Sequence, residues 1–325
     1  MARWLLVFFS LTTSFVCGAQ LKWQNVDSVF QPLPASVHVY FTESPIDSAP
    51  FKAFYVIADL KDKNLRFTTD TTSERRITPS QFYNKNNQPL VVVNGTFFSF
   101  ETNRNLNTVI KDGKTVVFDN HIRPLRGKDT LLYAKFLPSA IGISKKREAD
   151  VAWLYNEAGQ KKPLAFEQNP KLIRDSVNHV SIYDFVPQLH HPPKTEKRYG
   201  IKKWKMQTAI GGGPVLLHNS AIRIANNEEM KFSGKGIRDK HPRTAMGYTQ
   251  DNKLVILVVE GRNENAGGAT LVQEAQILKD LGCIEALNLD GGGSSCLLIN
   301  GKETIRPSDK GNQRAVPAVF IIKRK

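Results

Sequence analysis

Cysteine is scarce in this chain of 325 residues, which contains only Cys17, Cys283 and Cys296. So few cysteines exclude a small fold that is held together by several disulfides. The last two flank residues 288–295, where they either form one disulfide or are two buried small side chains. The seven histidines show no HExxH pattern and no paired Cys/His spacing, so the sequence does not indicate a zinc site.

The sequence also lacks an apolar run long enough to span a membrane. An apolar segment at residues 4–16 follows Arg3 and is followed by small residues up to Ala19. This order is typical of a cleaved signal peptide over residues 1–19, and it predicts an exported protein that is periplasmic or secreted, without a transmembrane span. Acylation of Cys17, as in a lipoprotein, is a weaker alternative because Val16 stands where a small residue is usual.

Acidic residues are in the minority, with 30 Asp and Glu against 45 Lys and Arg, which gives a formal net charge of +15. For an exported protein this surplus predicts a phosphorylated glycan or an anionic envelope polymer as partner, and no nucleic acid. A basic, solvated surface without any specific partner is the alternative.

Strand signals dominate the first part of the chain. Residues 37–41 alternate, residues 54–58 and 90–93 are compact apolar runs, and Asp112-Gly113 separates two apolar segments as in a hairpin. In the last third, strands are predicted at residues 254–259, 286–289 and 296–299. A capping box at Thr270 and Gln273 begins a helix that stops at Gly282.

The succession of strand, helix and strand predicts a mixed α+β fold, in which a central, mostly antiparallel sheet is flanked by helices. We expect residues 20–325 to form a single domain. The charged, proline-bearing stretch at about residues 145–205 is predicted to be an insertion or a lid.

Residues 288–295, with the sequence NLDGGGSS, are the most unusual segment. Three consecutive glycines are unfavourable in chain entropy, so the loop is either a turn that tolerates no Cβ or a site where amides bind an anion. Two other predicted strands also end in glycine, at residues 94–95 and 211–213. If the three strand ends lie side by side, glycine-lined loops converge on one pocket.

Together these motifs resemble the phosphodiester glycosidase family. The resemblance is carried by NGTFF at residues 94–98, IGGGPVL at 210–216, RTAMG at 243–247, NLDGGGSS at 288–295, and Arg314 near Pro317. It covers roughly residues 54–322 apart from the insertion, and Thr96 departs from it because the family more often has a second glycine there. The resemblance implies hydrolysis of the C1–O bond of a sugar-1-phosphodiester, with release of a sugar and a phosphomonoester.

This chemistry requires a carboxylate that stabilises an oxocarbenium-like transition state or activates water, together with cations for the phosphate leaving group. We therefore predict Asp290 and Glu260 as catalytic carboxylates, although Asp290 is also suited to capping its own turn. The predicted substrate- and phosphate-binding residues lie in or beside the three glycine loops or are conspicuous arginines: Asn94, Gly212, Arg243, Gly291, Gly292, Gly293, Ser294, Ser295 and Arg314.

No cofactor is predicted, but Asp290 and Glu260 could ligate a divalent cation through oxygen. Two other functions fit the same residues: a non-catalytic envelope protein that binds anionic glycans, and a phosphodiesterase that cleaves the P–O bond. We expect Glu274 to face solvent. His241 is expected to be structural, with proton transfer as the alternative.

Overall fold

The computed structural model describes residues 21–118, 121–124, 133–156, 161–169, 171–174 and 201–325. The predicted signal peptide lies outside these ranges, and so do residues 175–200 of the predicted insertion. The domain organisation therefore stays a prediction.

The helices in the described ranges are all too short or too polar to cross a membrane.

The described strands form four antiparallel sheets, which we call sheets A to D. Strands are numbered in chain order and given in their order within each sheet. Sheet A consists of β1 (Gln24–Asn25), β2 (Val37–Thr42), β3 (Ala53–Asp59), β19 (Lys253–Val259), β18 (Arg243–Thr249), β20 (Cys283–Asn288), β16 (Val215–His218) and β17 (Ala221–Ile222). Sheet B consists of β22 (Lys302–Glu303), β21 (Leu297–Ile299), β5 (Val91–Asn94), β23 (Ala318–Arg324) and β4 (Leu65–Thr71).

Sheet C consists of β14 (Lys202–Lys203), β12 (Leu164–Phe166), β11 (Ala149–Tyr155), β10 (Ser139–Ser144), β15 (Met206–Gly211), β6 (Val109–Lys111) and β7 (Lys114–Val117). Sheet D consists of β13 (Lys171–Arg174), β9 (Tyr133–Phe136) and β8 (His121–Pro124). The α-helices in the described ranges are α1 (Pro79–Lys85), α2 (Asn226–Glu229) and α3 (Leu271–Asp280).

The predicted mixed α+β class is wrong, because the fold is mostly β. The expectation of flanking helices rests on α3, whose capping box does form: Thr270 Oγ1 accepts from Gln273 N at 3.1 Å, and Gln273 Oε1 accepts from Thr270 N at 2.9 Å. The other two α-helices in the described ranges have only 7 and 4 residues, and the described strands far outnumber the helices.

The main core joins side chains from sheets A, B and C. In β19, Ile256 packs in this core, whereas the next residue, Leu257, packs on the opposite face of sheet A beside α3. In β5, Val91 faces the same core and Val92 faces the cluster around α1. Both faces of these strands are buried, which explains why their sequences are apolar at every position instead of alternating.

The three glycine-bearing strand ends lie side by side, which is the condition under which their loops could share one pocket. Gly213 N donates to Asn288 O at 2.7 Å, and Asn288 Nδ2 donates to Gly213 O at 2.7 Å. Asp290 N donates to Gly95 O at 2.9 Å. A Cβ at Gly212 would lie 2.3 Å from Asn288 O, so only glycine allows these two chain segments to approach so closely.

A buried carboxylate, Glu229, connects sheets A and C behind this point. Its Oε1 accepts from Val215 N at 2.9 Å and from Trp153 Nε1 at 3.0 Å. Its Oε2 accepts from Ser139 Oγ at 2.7 Å. Burial raises the pKa of Glu229, and Lys231 and these hydrogen bonds oppose the shift. The carboxylate therefore provides the acceptors for three buried donors from two sheets.

Replacing Glu229 with alanine would leave those donors without an acceptor. We expect Glu229→Ala to lower the free energy of unfolding by about 3–5 kcal/mol, measured by urea denaturation. The neighbouring Glu228→Ala is the control and should change it by less than about 0.5 kcal/mol. Equal stability of the two variants would contradict the structural role of Glu229.

Candidate active site

A cavity of about 220 Å³ opens where the strand ends converge. Its wall combines the glycine loop with arginine, histidine and aromatic side chains: Phe97, Phe232, His241, Arg243, Arg262, Asp290, Gly291, Gly292, Gly293 and Arg314. Of the described residues that line it, Asp290 is the only carboxylate, whereas three are arginines. The lining therefore has a positive net charge, which suits an anionic ligand bound beside the Asp290 carboxylate.

Asp290 lies two residues after the end of β20, and it is half-buried. Burial raises its pKa to about 6. The Ser294 hydroxyl and then the Arg314 guanidinium oppose this shift, and so do the Gly291 amide and Lys231. Ser294 Oγ itself is buried without a partner at ordinary hydrogen-bond distance in the described residues. Asp290 thus changes its charge near pH 6, and it is ionised at neutral pH.

Asn94 connects the two ends of the glycine loop. Its Nδ2 donates to Asp290 O at 2.6 Å, and its Oδ1 accepts from Cys296 N at 3.0 Å. The same Oδ1 accepts from Thr244 Oγ1 at 2.9 Å, and this hydroxyl lies 3.2 Å from Ser295 Oγ. Asn94 and Ser295 are completely buried and do not line the cavity. Their contacts are those of residues that shape the loop, and their predicted ligand-binding roles stay predictions.

Gly292 and Gly293 make room for two guanidinium groups. A Cβ at Gly293 would lie 2.1 Å from Nη2 of Arg314, and a Cβ at Gly292 would lie 3.1 Å from Nη2 of Arg262. Gly292 also has a φ of +60°, which disfavours other residues. The glycines therefore allow both arginines to lie directly against the loop backbone.

Most of the loop amides have partners within the protein. Gly292 N donates to Pro242 O at 2.8 Å. Ser294 N donates to Gly291 O at 3.1 Å, and Ser295 N donates to Gly292 O at 3.2 Å, so both amides close short turns within the loop. The positive charge that faces the cavity therefore comes from arginine side chains and not from these three amides.

Arg314 is held in place on two sides. Its Nε donates to Asp309 Oδ2 at 3.0 Å, an interaction that also lowers the pKa of Asp309. Its Cζ lies 5.4 Å from the centroid of the Phe100 ring. The guanidinium is thus fixed over Gly293 before any ligand binds.

Arg243 is buried at the start of β18. Its Nε donates to Ala269 O at 2.9 Å, and its Nη2 donates to Asp239 O at 3.2 Å. Its Cζ lies 5.8 Å from the centroid of the Phe232 ring. Burial lowers its pKa, and Glu274 opposes this shift.

The prediction that Glu274 faces solvent is wrong. It lies one turn after Leu271 on the buried face of α3 and is fully inaccessible. Neither carboxyl oxygen has a hydrogen-bond partner among the described residues. Burial raises its pKa to about 8, against the effect of Arg243. The group is therefore mostly neutral at pH 7, which leaves the charge of Arg243 largely uncompensated.

Sequence reasoning missed Arg262, which follows Glu260 by two residues. Arg262 has a φ of +64°, and its Nη2 lies 3.4 Å from Nδ1 of His241. The pKa of His241 is lowered by burial and then by Arg243 and Arg262. His241 is therefore neutral at neutral pH. The signal in the sequence that indicates Arg262 is its position just after the apolar strand β19, which it shares with Glu260.

Glu260 lies outside the cavity. Its Oε1 accepts from Asn263 Nδ2 at 3.1 Å, and its Oε2 accepts from Arg306 N at 2.9 Å. These two hydrogen bonds connect the turn after β19 to the backbone at Arg306. Gly212 also lies outside the cavity, behind the glycine loop. The catalytic role of Glu260 and the binding role of Gly212 stay predictions, and neither residue lines the cavity.

Thr96, Cys283 and Cys296 are likewise buried structural residues. The Thr96 hydroxyl donates to Asn105 Oδ1 and does not line the cavity. Cys283 and Cys296 are unpaired and buried, so the second of the two cysteine alternatives is the correct one. Burial raises the pKa of both thiols, that of Cys283 to about 12.

Within the described ranges, no group of three or more His, Cys, Asp or Glu side chains is arranged to hold a metal ion. The possible divalent cation stays untested.

A family model described as phosphodiester glycosidase matches residues 155–323, just over half of the chain. Among curated proteins, an uncharacterised SPbeta prophage-derived protein of Bacillus subtilis, YomE, is 44% identical over 83 residues, which are 26% of this chain and 13% of that protein. N-acetylglucosamine-1-phosphodiester α-N-acetylglucosaminidase of Bos taurus is 40% identical over 101 residues, 31% of this chain and 19% of that enzyme. These matches span less than a fifth of either relative.

A solved structure extends the likeness to nearly the whole fold. The catalytic domain of zebrafish N-acetylglucosamine-1-phosphodiester α-N-acetylglucosaminidase, auto-inhibited by its pro-peptide, superposes with a TM-score of 0.57. The match covers 94% of this chain and 88% of that domain at 20% identity. At this identity the superposition shows a shared fold.

The packing of Arg314 on Gly293 can be tested directly. In Gly293→Ala the new Cβ would meet only the end of a flexible side chain, so we expect Arg314 to be displaced without loss of stability. Affinity for inorganic phosphate, measured by calorimetry, should fall about tenfold, as one charge-assisted contact is lost.

Gly291→Ala is the matched control, because its Cβ would lie 2.9 Å from the backbone oxygen of Pro242. This variant should lower the melting temperature, whereas Gly293→Ala should not. Unchanged phosphate affinity in Gly293→Ala would show that the placement of Arg314 does not contribute to anion binding.

Proposed function

Because this chain belongs to the phosphodiester glycosidase family, we propose that it hydrolyses the C1–O bond of a sugar-1-phosphodiester and releases a sugar and a phosphomonoester. The observation that carries this proposal is the placement of one carboxylate, Asp290, beside three arginines in a single cavity. Curated relatives whose names state this type of activity support it.

The arginines match the charge of the substrate and of the leaving group. Guanidinium groups bind phosphate oxygens through paired, charge-assisted hydrogen bonds. Arg314 and Arg262 lie against the glycine loop, and Arg243 lies on the adjoining wall. When the C1–O bond breaks, its electron pair stays on the phosphate oxygen, and fixed cations stabilise the charge that develops there.

Asp290 acts as the carboxylate at the anomeric carbon. In its ionised form it stabilises the positive charge that develops on C1 or orients the attacking water. The hydroxyl of that water adds to C1, and its proton passes to Asp290 or to the neutral His241 before it reaches the phosphate product or solvent. Because phosphate leaves as a stable anion, the reaction does not depend on a second carboxylic acid to protonate it.

We further propose that the protein is exported and that its substrate is a phosphorylated glycan or another anionic envelope polymer. The order of charged, apolar and small residues over positions 1–19 supports export, and the net charge of +15 supports an anionic partner.

Hydrolysis of a panel of sugar-1-phosphodiesters in water enriched in oxygen-18 tests the reaction type. We expect the label in the released sugar and none in the phosphomonoester, because the C1–O bond is the one that breaks. Asp290→Asn should remain folded and lose at least about 100-fold in turnover, as expected for loss of a carboxylate at the reacting centre. Parallel assays with and without chelator test the need for a divalent cation.

Label in the phosphate would show P–O cleavage and overturn the glycosidase proposal. Binding of all substrates without turnover would instead support a non-catalytic envelope protein.

The raised pKa of Asp290 predicts an acidic limit to activity. Because the ionised form is the active one and its pKa in the protein without substrate is about 6, kcat/KM should fall about tenfold for each pH unit below about 6. Arg314 lowers this pKa, so Arg314→Ala should move the acidic limb to higher pH.

Arg306→Ala removes the same charge outside the cavity and should leave the limb in place. The measurement is kcat/KM between about pH 4 and about pH 8. An acidic limb that is the same in the Arg314 and Arg306 variants would contradict the assignment to Asp290.

A further inference from the structure

A second cavity lies away from the glycine loop, and the mechanism above does not use it. Its volume is about 460 Å³, against about 220 Å³ for the cavity at Asp290. A volume of roughly 300–1,000 Å³ is typical of ligand sites. Among the described residues, none lines both cavities. We call the second one the distal cavity, and its polar lining includes Arg66, Asp112, Lys145, Arg147, Gln207 and Thr208.

The distal cavity lies at the opposite end of sheets B and C from the glycine loop. β23 begins at Ala318, whose carbonyl accepts from Gly95 N at 3.2 Å, and Lys325, which directly follows its last residue, lines the distal cavity. β15 likewise runs from Thr208 at this cavity to Gly211 at its glycine-bearing end. At a rise of about 3.3 Å per residue, the chain from Ala318 to Lys325 spans roughly 23 Å. One phosphate group therefore cannot contact both cavities.

Basic side chains outnumber acidic ones in the distal cavity. Arg66 Nη2 lies 2.8 Å from Asp112 Oδ1, so these two charges balance each other. Lys145 is exposed and forms no ion pair with any described residue. Because Asp112 is the only carboxylate side chain in the lining, the charges of Lys145 and Arg147 remain to attract an anion.

Arg147 is a fixed cation of this lining. Its Nη1 donates to Leu60 O and to Asp62 O, both at 2.9 Å, and its Nη2 donates to Leu65 O at 2.6 Å. These carbonyl oxygens carry no formal charge. The side-chain carboxylate of Asp62 accepts from Ser36 Oγ and does not line the cavity. The guanidinium is therefore held in place without a carboxylate partner in the lining.

Two polar side chains of β15 at the wall of the distal cavity have atoms without partners. Thr208 is 1% exposed, and its Oγ1 has no hydrogen-bond partner among the described residues. Oε1 of the neighbouring Gln207 is buried and unpartnered in the same way. Buried polar groups of native proteins are nearly always hydrogen-bonded. A ligand that carries both an oxyanion and hydroxyl groups would satisfy them, because the Thr208 hydroxyl can donate and Gln207 Oε1 can accept.

We propose that the distal cavity is a second binding site for an anionic glycan chain. Arg66, Lys145 and Arg147 bind a phosphate-type oxyanion of the chain, while the cavity at the glycine loop acts on another unit of it. A separation of roughly 20 Å between the two cavities requires a ligand of several units, so the distal cavity favours a polymer over a single sugar phosphodiester. The identification of the ligand as the substrate polymer rests on the proposed function, whereas the anion site itself does not.

Titration of the whole protein with inorganic phosphate, followed by NMR spectroscopy, tests the distal site separately. The amide signals of Ser144 and Thr208 report on the distal cavity, and those of Gly292 and Gly293 report on the glycine loop. In Lys145→Glu, the dissociation constant from the first pair should rise at least about tenfold, because an attractive charge is replaced by a repulsive one. The constant from the second pair should stay within about twofold of the wild-type value.

Lys146→Glu is the matched control, because Lys146 is the next residue, is also exposed and does not line the distal cavity. It makes the same change in net charge and should raise the distal dissociation constant less than about threefold, since solvent and salt screen a charge outside the site.

Asp112→Asn tests the opposite direction. Removal of the lining carboxylate side chain should lower the distal dissociation constant about threefold. Asparagine tolerates the φ of +51° at this turn position, so the hairpin should keep its shape.

Linear polyphosphates of two lengths, triphosphate and a chain long enough to span both cavities, distinguish a polymer from a free phosphomonoester as the ligand. By calorimetry, the long chain should bind the wild-type protein at least about tenfold more tightly than triphosphate, because its second contact is intramolecular. Lys145→Glu should remove most of this gain, and Lys146→Glu should keep it.

Three outcomes would overturn the inference. Phosphate-induced shifts at the glycine loop alone would show that the distal cavity does not bind anions. Equal effects of Lys145→Glu and Lys146→Glu would show a diffuse response to surface charge. Phosphate binding in the distal cavity without a gain for the long chain would assign the cavity to a free phosphomonoester. None of these measurements needs turnover, so a protein that binds as expected but hydrolyses no diester would overturn the proposed function alone.

Discussion

The site depends on one buried amide, the side chain of Asn94. It reaches from the end of β5 to the carbonyl of Asp290 and to the amide of Cys296, and so it determines where the glycine loop begins and ends. Two backbone amides of the loop add long-range contacts, Asp290 N to Gly95 O at 2.9 Å and Gly292 N to Pro242 O at 2.8 Å, whereas those of Ser294 and Ser295 close short turns within the loop. The position of Asp290, and of the arginines that lie on the loop, follows from a residue that does not line the cavity.

The electrostatics of the site are a balance between burial and surrounding positive charge. Burial raises the pKa of Asp290 to about 6, and Arg314 opposes that shift. The glycines are essential to this balance, because a side chain at Gly293 would occupy the place of the Arg314 guanidinium. Behind the cavity, the buried and mostly neutral Glu274 leaves the charge of Arg243 available for an anion.

The glycine-bearing motifs that carry the family resemblance have two different physical tasks. Gly292 and Gly293 belong to the cavity wall and allow cations to approach a ligand. Gly212 instead allows two backbone segments to pack closely, because a Cβ at this position would lie 2.3 Å from Asn288 O. Glu229 stabilises the same junction through three hydrogen bonds. A glycine in such a family motif can therefore be needed for the folding of the site as well as for its chemistry.

The sequence by itself determined the features that depend on neighbouring residues. Apolar runs located strands such as β5 and β19, the capping box located α3, and the glycine loop pointed to Asp290. Only the tertiary structure decided the mostly β class, the exclusion of Glu260 from the cavity and the inclusion of Arg262. Those outcomes depend on which strands pair and which side chains meet between segments that are separated in the sequence, and local pattern carries no information about such contacts.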